Sequence, residues 1–202
     1  MSTANSNKNI INYQQLADSM IINPDKIPAL RSIVTNKILP GKAEYDKVEA
    51  AIKVPWWIVS LLHYRESTCN FKAHLHNGDP LTGRTVHVPA GRPKSDPEAG
   101  KGKPYSFHES AIDALTIEGF DKVREWTLPV TLERIEMYNG TGYQDYHPDM
   151  LSPYLWSWSN HYVKGKYASD GKFDANLVDQ QAGCVPLLWI LSEECIRQEI
   201  KM

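Results

Sequence analysis

The stretch VPWWIVSLLHYRES, from Val54 to Ser67, constrains this chain most. Val54 to His63 is mostly apolar, with two adjacent tryptophans, and Pro55 sits well at the first turn of a helix. A helix this apolar is core-grade, yet it ends abruptly on Arg65, Glu66 and Ser67. A carboxylate is the wrong charge for a helix C-terminus, where the macrodipole is negative. Half buried there, Glu66 would hold its proton more tightly than in water, which is what a general acid requires. The plainer alternative is a last-turn Glu that points into water.

The remaining sequence frames that helix. One domain is the expectation for 202 residues, with enough apolar content (42%) for a sizeable core. The net charge of −2 provides no strong field for nucleic acid or anionic membrane, and no nucleic-acid motif is present. No run of about 18 apolar residues suggests a membrane span. The N-terminal MSTANSNKNIINY has neither an apolar segment nor a cleavage site of the secretory type. Cys69, Cys184 and Cys195 form neither a disulfide framework nor a zinc pattern, so free thiols are expected, the last two packed in an apolar stretch. Six tryptophans and ten tyrosines suit a core or a carbohydrate cleft.

Residues 1–10 are expected to be a disordered tail, and 11–202 a single catalytic domain carrying a helical extension over 11–45. Helical patterns cover Tyr13–Ile21, Ile27–Ile38, Glu44–Ala51 and Trp56–Glu66. Between Asn70 and Tyr105 that periodicity vanishes. Turn residues at Asn77-Gly78-Asp79-Pro80 and alternation at Thr85-Val86-His87-Val88 predict a small hairpin or meander, followed by a long irregular loop. Arg84, Arg92, Lys94, Lys101 and Lys103 cluster around that loop, where Asp96 and Glu98 dilute them. Helices resume at ESAIDALTIEGF, with Ser106 or His108 as the candidate cap, and at LPVTLERIEMYNG, with Pro129 in its first turn and Asn139-Gly140 ending it. After SPYLWSWSNHY, the sequence from Asp170 predicts a turn, a cap at Asp174 and a helix to the end, with Gly183 and Pro186 kinking it. The class is α+β, mainly α.

HYRESTCNF resembles the "ES…F" helix end of the lysozyme superfamily, as in soluble lytic transglycosylases and goose-type lysozymes. EMYNGTGY, Glu136 to Tyr143, resembles the Tyr-Asn-x-Gly element found downstream in those enzymes. LHNGDPLTGRTVHVPAGRP and SPYLWSWSNHYVKGKY are similar to segments of bacterial and phage lysozyme-like proteins. The resemblance covers roughly residues 45–190. It departs from transglycosylases in a longer loop after Glu66 and in Thr-Gly-Tyr after the Tyr-Asn-Gly element. It implies a lysozyme-like fold with a small β-hairpin and a helical core, and an enzyme that cleaves the glycan strand of peptidoglycan with Glu66 as its acid.

Glycoside cleavage commonly uses two carboxyl groups. Asp79 is the candidate partner, with Thr82 or Thr85 beside it, as a hairpin Asp and Thr complete the site in many phage lysozymes. Asn-Gly-Asp-Pro is also turn chemistry in its own right. Tyr138 and Asn139 are expected to shape the cleft, with His76, Tyr154 and Trp156 as further sugar contacts. No cofactor is needed for this chemistry. Without a second carboxylate, assistance by the sugar N-acetyl group and a lyase outcome enter. Two other classes stand beside these: a zinc peptidase using His74, His76, Asp79 and His87, since His-x-His on a strand puts both rings on one face, and a non-catalytic carbohydrate module built on Tyr154, Trp156 and Trp158. The expected setting is synthesis in the cytoplasm and action on the cell wall after lysis or injection, as a phage lysin or a toxin, with an immunity protein or delivery machinery as the conceivable partner.

Overall fold

The computed structural model describes residues 11–169 and 171–202; the expected tail at 1–10 lies outside them. The chain is α+β and mainly α. Its helices are α1 (Tyr13–Asp18), α2 (Ile27–Ile33), α3 (Lys42–Ile52), α4 (Trp56–Ser67), α5 (Phe107–Ile117), α6 (Leu128–Asn139), α7 (Gly142–Tyr146), α8 (Pro153–Trp156) and α9 (Cys184–Arg197). A two-stranded antiparallel hairpin, β1 (Lys166–Ser169) and β2 (Lys172–Asp174), pairs Lys166 with Asp174 and Tyr167 with Phe173.

Helix α4 is the axis of the core. Ile58, Val59, Leu61 and Leu62 have no solvent exposure, and burial continues through His63, Tyr64 and Arg65. Because its apolar residues lie all round, it needs neighbours all round. Helices α3, α6 and α9 and the turn that follows α2 supply them. That turn, Val34–Ile38, is π-helical and runs into Pro40, which has no N–H to continue an α-helix. Leu30, Val34 and Ile38 are fully buried in the same core as α4. The helical segment over 11–45 thus shares one apolar core with α4. Tyr13 of α1 adds a buried tie, donating from its hydroxyl to Glu136 Oε2 of α6 at 2.6 Å.

Helix α5 starts with a capping box: Ser106 Oγ accepts from the Glu109 N–H, and Glu109 Oε2 accepts from the Ser106 N–H. Thr127 caps α6 with its side chain alone, its Oγ1 accepting from the Val130 N–H, ahead of Pro129 in the first turn.

The hairpin is not where the turn residues at 77–80 suggested. Residues 70–105 contain no paired strands, only an isolated bridge between Ala73 and Pro80. The alternating Val86 and Val88 are exposed, and the Val86 and His87 N–H groups go to the Asp79 carboxylate instead of a neighbouring strand. The true hairpin surrounds Gly171, inside the segment expected to enter the last helix. Asp174 ends β2 and accepts from the Asn176 N–H. Helix α9 begins only at Cys184, and Pro186 falls in its first turn, where no N–H is needed. No kink follows. Cys184 and Cys195 are buried, Cys69 is partly so, and all three are free thiols.

Gly183 shows how closely the last helix is seated. A Cβ there would overlap the Leu155 carbonyl oxygen and lie 2.6 Å from the Ser157 nitrogen. The obstacle is backbone, which cannot rotate away. Gly183→Ala is therefore expected to cost about 2 kcal/mol or more, visible as a lower midpoint in chemical denaturation, whereas Gly171→Ala, with open space around it, is limited to the strain of its positive φ.

Candidate active site

Glu66 lies in the last turn of α4, half buried. The helix ends abruptly beyond it because Thr68 and Cys69 both take left-handed φ values of 58° and 62°. Such a conformation costs a β-branched residue about 1 kcal/mol or more. Side-chain packing holds the end in place. Arg65 donates to the Ala182 carbonyl at 3.0 Å and to Asp179 Oδ2 at 2.7 Å, and its guanidinium lies 4.7 Å from the centre of the Tyr154 ring. Asp179 has no side-chain exposure and also accepts from Lys166 Nζ of β1 at 2.8 Å. Burial works to raise its pKa, but the two cations outweigh that and hold it below the usual carboxylate range.

Tyr154 of α8 donates from its hydroxyl to Glu66 Oε1 at 2.8 Å. Burial pushes the Glu66 carboxyl up to about 7, against the opposing pull of that hydrogen bond and of the Arg65 charge. The neutral acid thus persists near neutral pH. Tyr138 of α6 approaches as well; its hydroxyl donates to the Leu75 carbonyl at 2.8 Å. Its own ionisation is disfavoured first by burial and then by the charge of Glu66.

Two cavities flank Glu66. One, about 870 Å³, is lined by Glu66, His76, Asn77, His87, Val88, Pro89, Ile117, Glu118, Tyr138 and Asn139, with Ser169 and Lys172 from the hairpin. The other, about 740 Å³, is lined by Arg65, Tyr154 and Lys166 and by an aromatic group comprising Tyr143, Tyr146, His147, Tyr167 and Phe173. Asn139 and Ser169 border both, so the two form one extended cleft. His147 stacks on Phe173 with centroids 3.7 Å apart.

The structure therefore brings Glu66, His76, Tyr138, Asn139 and Tyr154 together at the cleft. It does not do so for four other candidates. Asp79 lines neither cavity. Its Oδ2 accepts from the backbone N–H groups of Val86 and His87 at 2.8 and 2.9 Å, and its Oδ1 bonds His87 Nδ1 at 2.6 Å. Burial tends to raise its pKa, but these bonds hold the carboxyl down to about 2. Asp79 organises the loop that carries His87 and Val88 to the cleft. Thr85 is buried and committed to the same loop, bonding Pro89, Gly91 and Arg92. Thr82 is exposed and lines neither cavity. Trp156 has no exposure and packs in the core against His161, so no ligand reaches it.

The turn at 77–79 does fold over the helix end: Gly78 has φ +78°, and a Cβ there would lie 2.9 Å from the Glu66 carbonyl oxygen. The histidines behind this turn are engaged. His74 bonds Ser110 Oγ and the Gly83 carbonyl, and His76 Nε2 bonds Asp113 at 2.8 Å. Asp113 also pairs with Arg92, which secures the loop to α5. Among the described residues, no three His, Cys, Asp or Glu side chains are gathered in a group able to hold a metal. No helix among them is long and apolar enough to cross a membrane.

Sequence reasoning missed Arg65, Asp179 and Lys166, the aromatic wall of the second cavity, and Glu118. An arginine inside an apolar helix is itself a signal, since a buried cation demands a buried acid, but the sequence does not show which one. Comparison with family models, curated proteins and solved structures finds no match to this chain.

Asp79→Asn should destabilise the protein by about 1–2 kcal/mol at neutral pH, because one oxygen and the charge are lost to three donors. A carboxyl with a depressed folded pKa contributes stability above its unfolded value that is lost as pH falls through the folded one. The difference between wild type and variant should therefore shrink from about pH 4 towards about pH 2, as measured by denaturation across that range.

Proposed function

We propose that this chain is a lysozyme-like glycosidase that cleaves the glycan strand of bacterial peptidoglycan, with Glu66 as its general acid. The observation that carries this reading is a half-buried helix-end carboxyl, held protonated near neutral pH and open to an extended cleft. The resemblance to the lysozyme superfamily rests on two short motifs far apart in sequence, around Glu66 and around Tyr138-Asn139. That both line one cavity supports treating them as a single site.

In this mechanism a sugar chain lies along the cleft, with its scissile oxygen at Glu66. The acid donates its proton to that oxygen as the bond to the anomeric carbon breaks. Tyr154 fixes the orientation of the carboxyl through Oε1. Tyr138 and Asn139 shape the floor, and the aromatic wall of the second cavity offers flat faces for sugar rings. The protein acts on the cell wall after lysis or injection. A lytic transglycosylase would use the same acid on the same bond.

Glu66→Gln keeps shape but cannot donate the proton. It is expected to lower the cleavage of purified peptidoglycan by roughly 10²–10⁴-fold with a melting temperature no lower than that of wild type, as followed by mass spectrometry of released fragments; near wild-type turnover would refute the assignment. Activity needs the protonated acid, so it should fall as pH rises through about 7. The Tyr154 hydroxyl lowers the Glu66 pKa, so Tyr154→Phe should move that alkaline limb to higher pH in a kcat/KM profile.

The same shift links to stability with the opposite sign from Asp79. A carboxyl with a raised folded pKa favours the folded state fully only below its unfolded value, and this contribution is lost as pH rises through about 7. Glu66→Gln should therefore be more stable than wild type above pH 7, by roughly 1–3 kcal/mol. That gain should disappear below about pH 4.5 in parallel denaturation curves.

A further inference from the structure

Once Glu66 is taken as the glycosidic acid, the cleft still requires a group to activate water or stabilise the sugar cation. Asp79 is spent on three hydrogen bonds within its loop. Among the described residues lining the two cavities, the carboxylates are Glu66 and Glu118. We propose that Glu118 is the second catalytic carboxylate, the base that activates water on the anomeric carbon; this rests on the glycosidase reading above.

Glu118 caps the C-terminus of α5, with its N–H bonded to the Ala114 carbonyl. It is exposed, and its carboxylate makes no hydrogen bond or ion pair with any described residue. That sets it apart from the carboxylates of Asp79, Glu109, Asp113, Glu136, Asp179 and Glu194, each of which is bonded to neighbours. Its position is nevertheless fixed. Helix α5 is held at its start by the capping box, along its length by Ala111, Ala114 and Leu115 in the core, and on its flank by Arg92 on Asp113. Gly119, with φ +73°, ends the helix directly after it. Tyr138 connects the two acids: all three side chains line one cavity, and the charges of Glu66 and Glu118 both disfavour ionisation of its hydroxyl. Exposed Val88 and half-exposed Ile117 line the same cavity beside Glu118.

The step balances without a cofactor. Water attacks the anomeric carbon and transfers a proton to Glu118. The bond from that carbon to the glycosidic oxygen breaks, its electron pair stays on the oxygen, and Glu66 protonates it. The products are two free sugar ends, with inverted configuration at the attacked carbon.

The test compares wild type, Glu66→Gln, Glu118→Gln and Glu118→Ala on soluble peptidoglycan strands. Glu118→Gln is expected to lose roughly 10²–10⁴-fold in kcat, with KM and melting temperature nearly unchanged, since the side chain is exposed and unpaired. In Glu118→Ala, added azide should restore cleavage and yield a glycosyl azide of inverted configuration, a result no structural role for Glu118 would produce. Proton NMR of the fresh wild-type product should show inversion. Wild-type turnover in Glu118→Gln beside an inactive Glu66→Gln would overturn the assignment and leave the acid in place. Retained configuration, or an anhydro sugar formed by internal attack, would overturn it also. If wild type failed to cleave the strands, the glycosidase reading would fall, and this inference with it.

Discussion

The site depends on one constraint: helix α4 is apolar on every side and must be enclosed, yet it ends in two charged residues. Enclosure removes water from both. Arg65 finds a buried acid in Asp179 and a ring face in Tyr154, so its charge is matched. Glu66 finds only a neutral hydroxyl donor. The same burial therefore keeps one group charged and the other protonated. A buried ion pair such as Arg65–Asp179 adds little net stability, but it determines where the helix end stops, and with it where Glu66 stops.

Two irregular segments build the cleft around that end. The loop over 70–105 has almost no regular structure, yet its polar groups are accounted for. Asp79 gathers Val86 and His87, Thr85 gathers Gly91 and Arg92, and Arg84 bonds the carbonyls of Pro93 and Lys94. This internal bonding replaces a sheet, and it allows Val88 and Pro89 to remain at the cleft. From the other side, the β1–β2 hairpin contributes Tyr167, Ser169 and Lys172. Lys166, at its root, shares Asp179 with Arg65, so the hairpin and the end of α4 are tied through one carboxylate.

Much of the helical scaffold was legible because its signals are local. The Ser106 cap, the proline at the start of α6 and the run from Trp56 each act within one or two turns. Misreadings arose where a local signal had a distant competitor. Thr85 to Val88 alternate like a strand, but the carboxylate of Asp79 took the N–H groups a ladder would need. The Asp-Gly pair at 170–171 is itself a hairpin signal, outweighed in the sequence by the long helical pattern that follows. Trp156 reads as well for a sugar platform as for a core, and only its packing decided between them.

The sequence by itself determined that an apolar helix ends on a glutamate, that an irregular excursion follows, and that a Tyr-Asn-Gly turn lies downstream. These are consequences of periodicity, capping and turn chemistry over short spans. Only the tertiary structure decided which carboxylates are spent and which are free. Asp79 and Glu118 are both acids at turns, and nothing in their neighbouring residues predicts that one is saturated by backbone donors while the other faces the cleft. Desolvation and hydrogen bonding arise between segments distant in the chain. The role of each acid is therefore set by the chain's closure around α4.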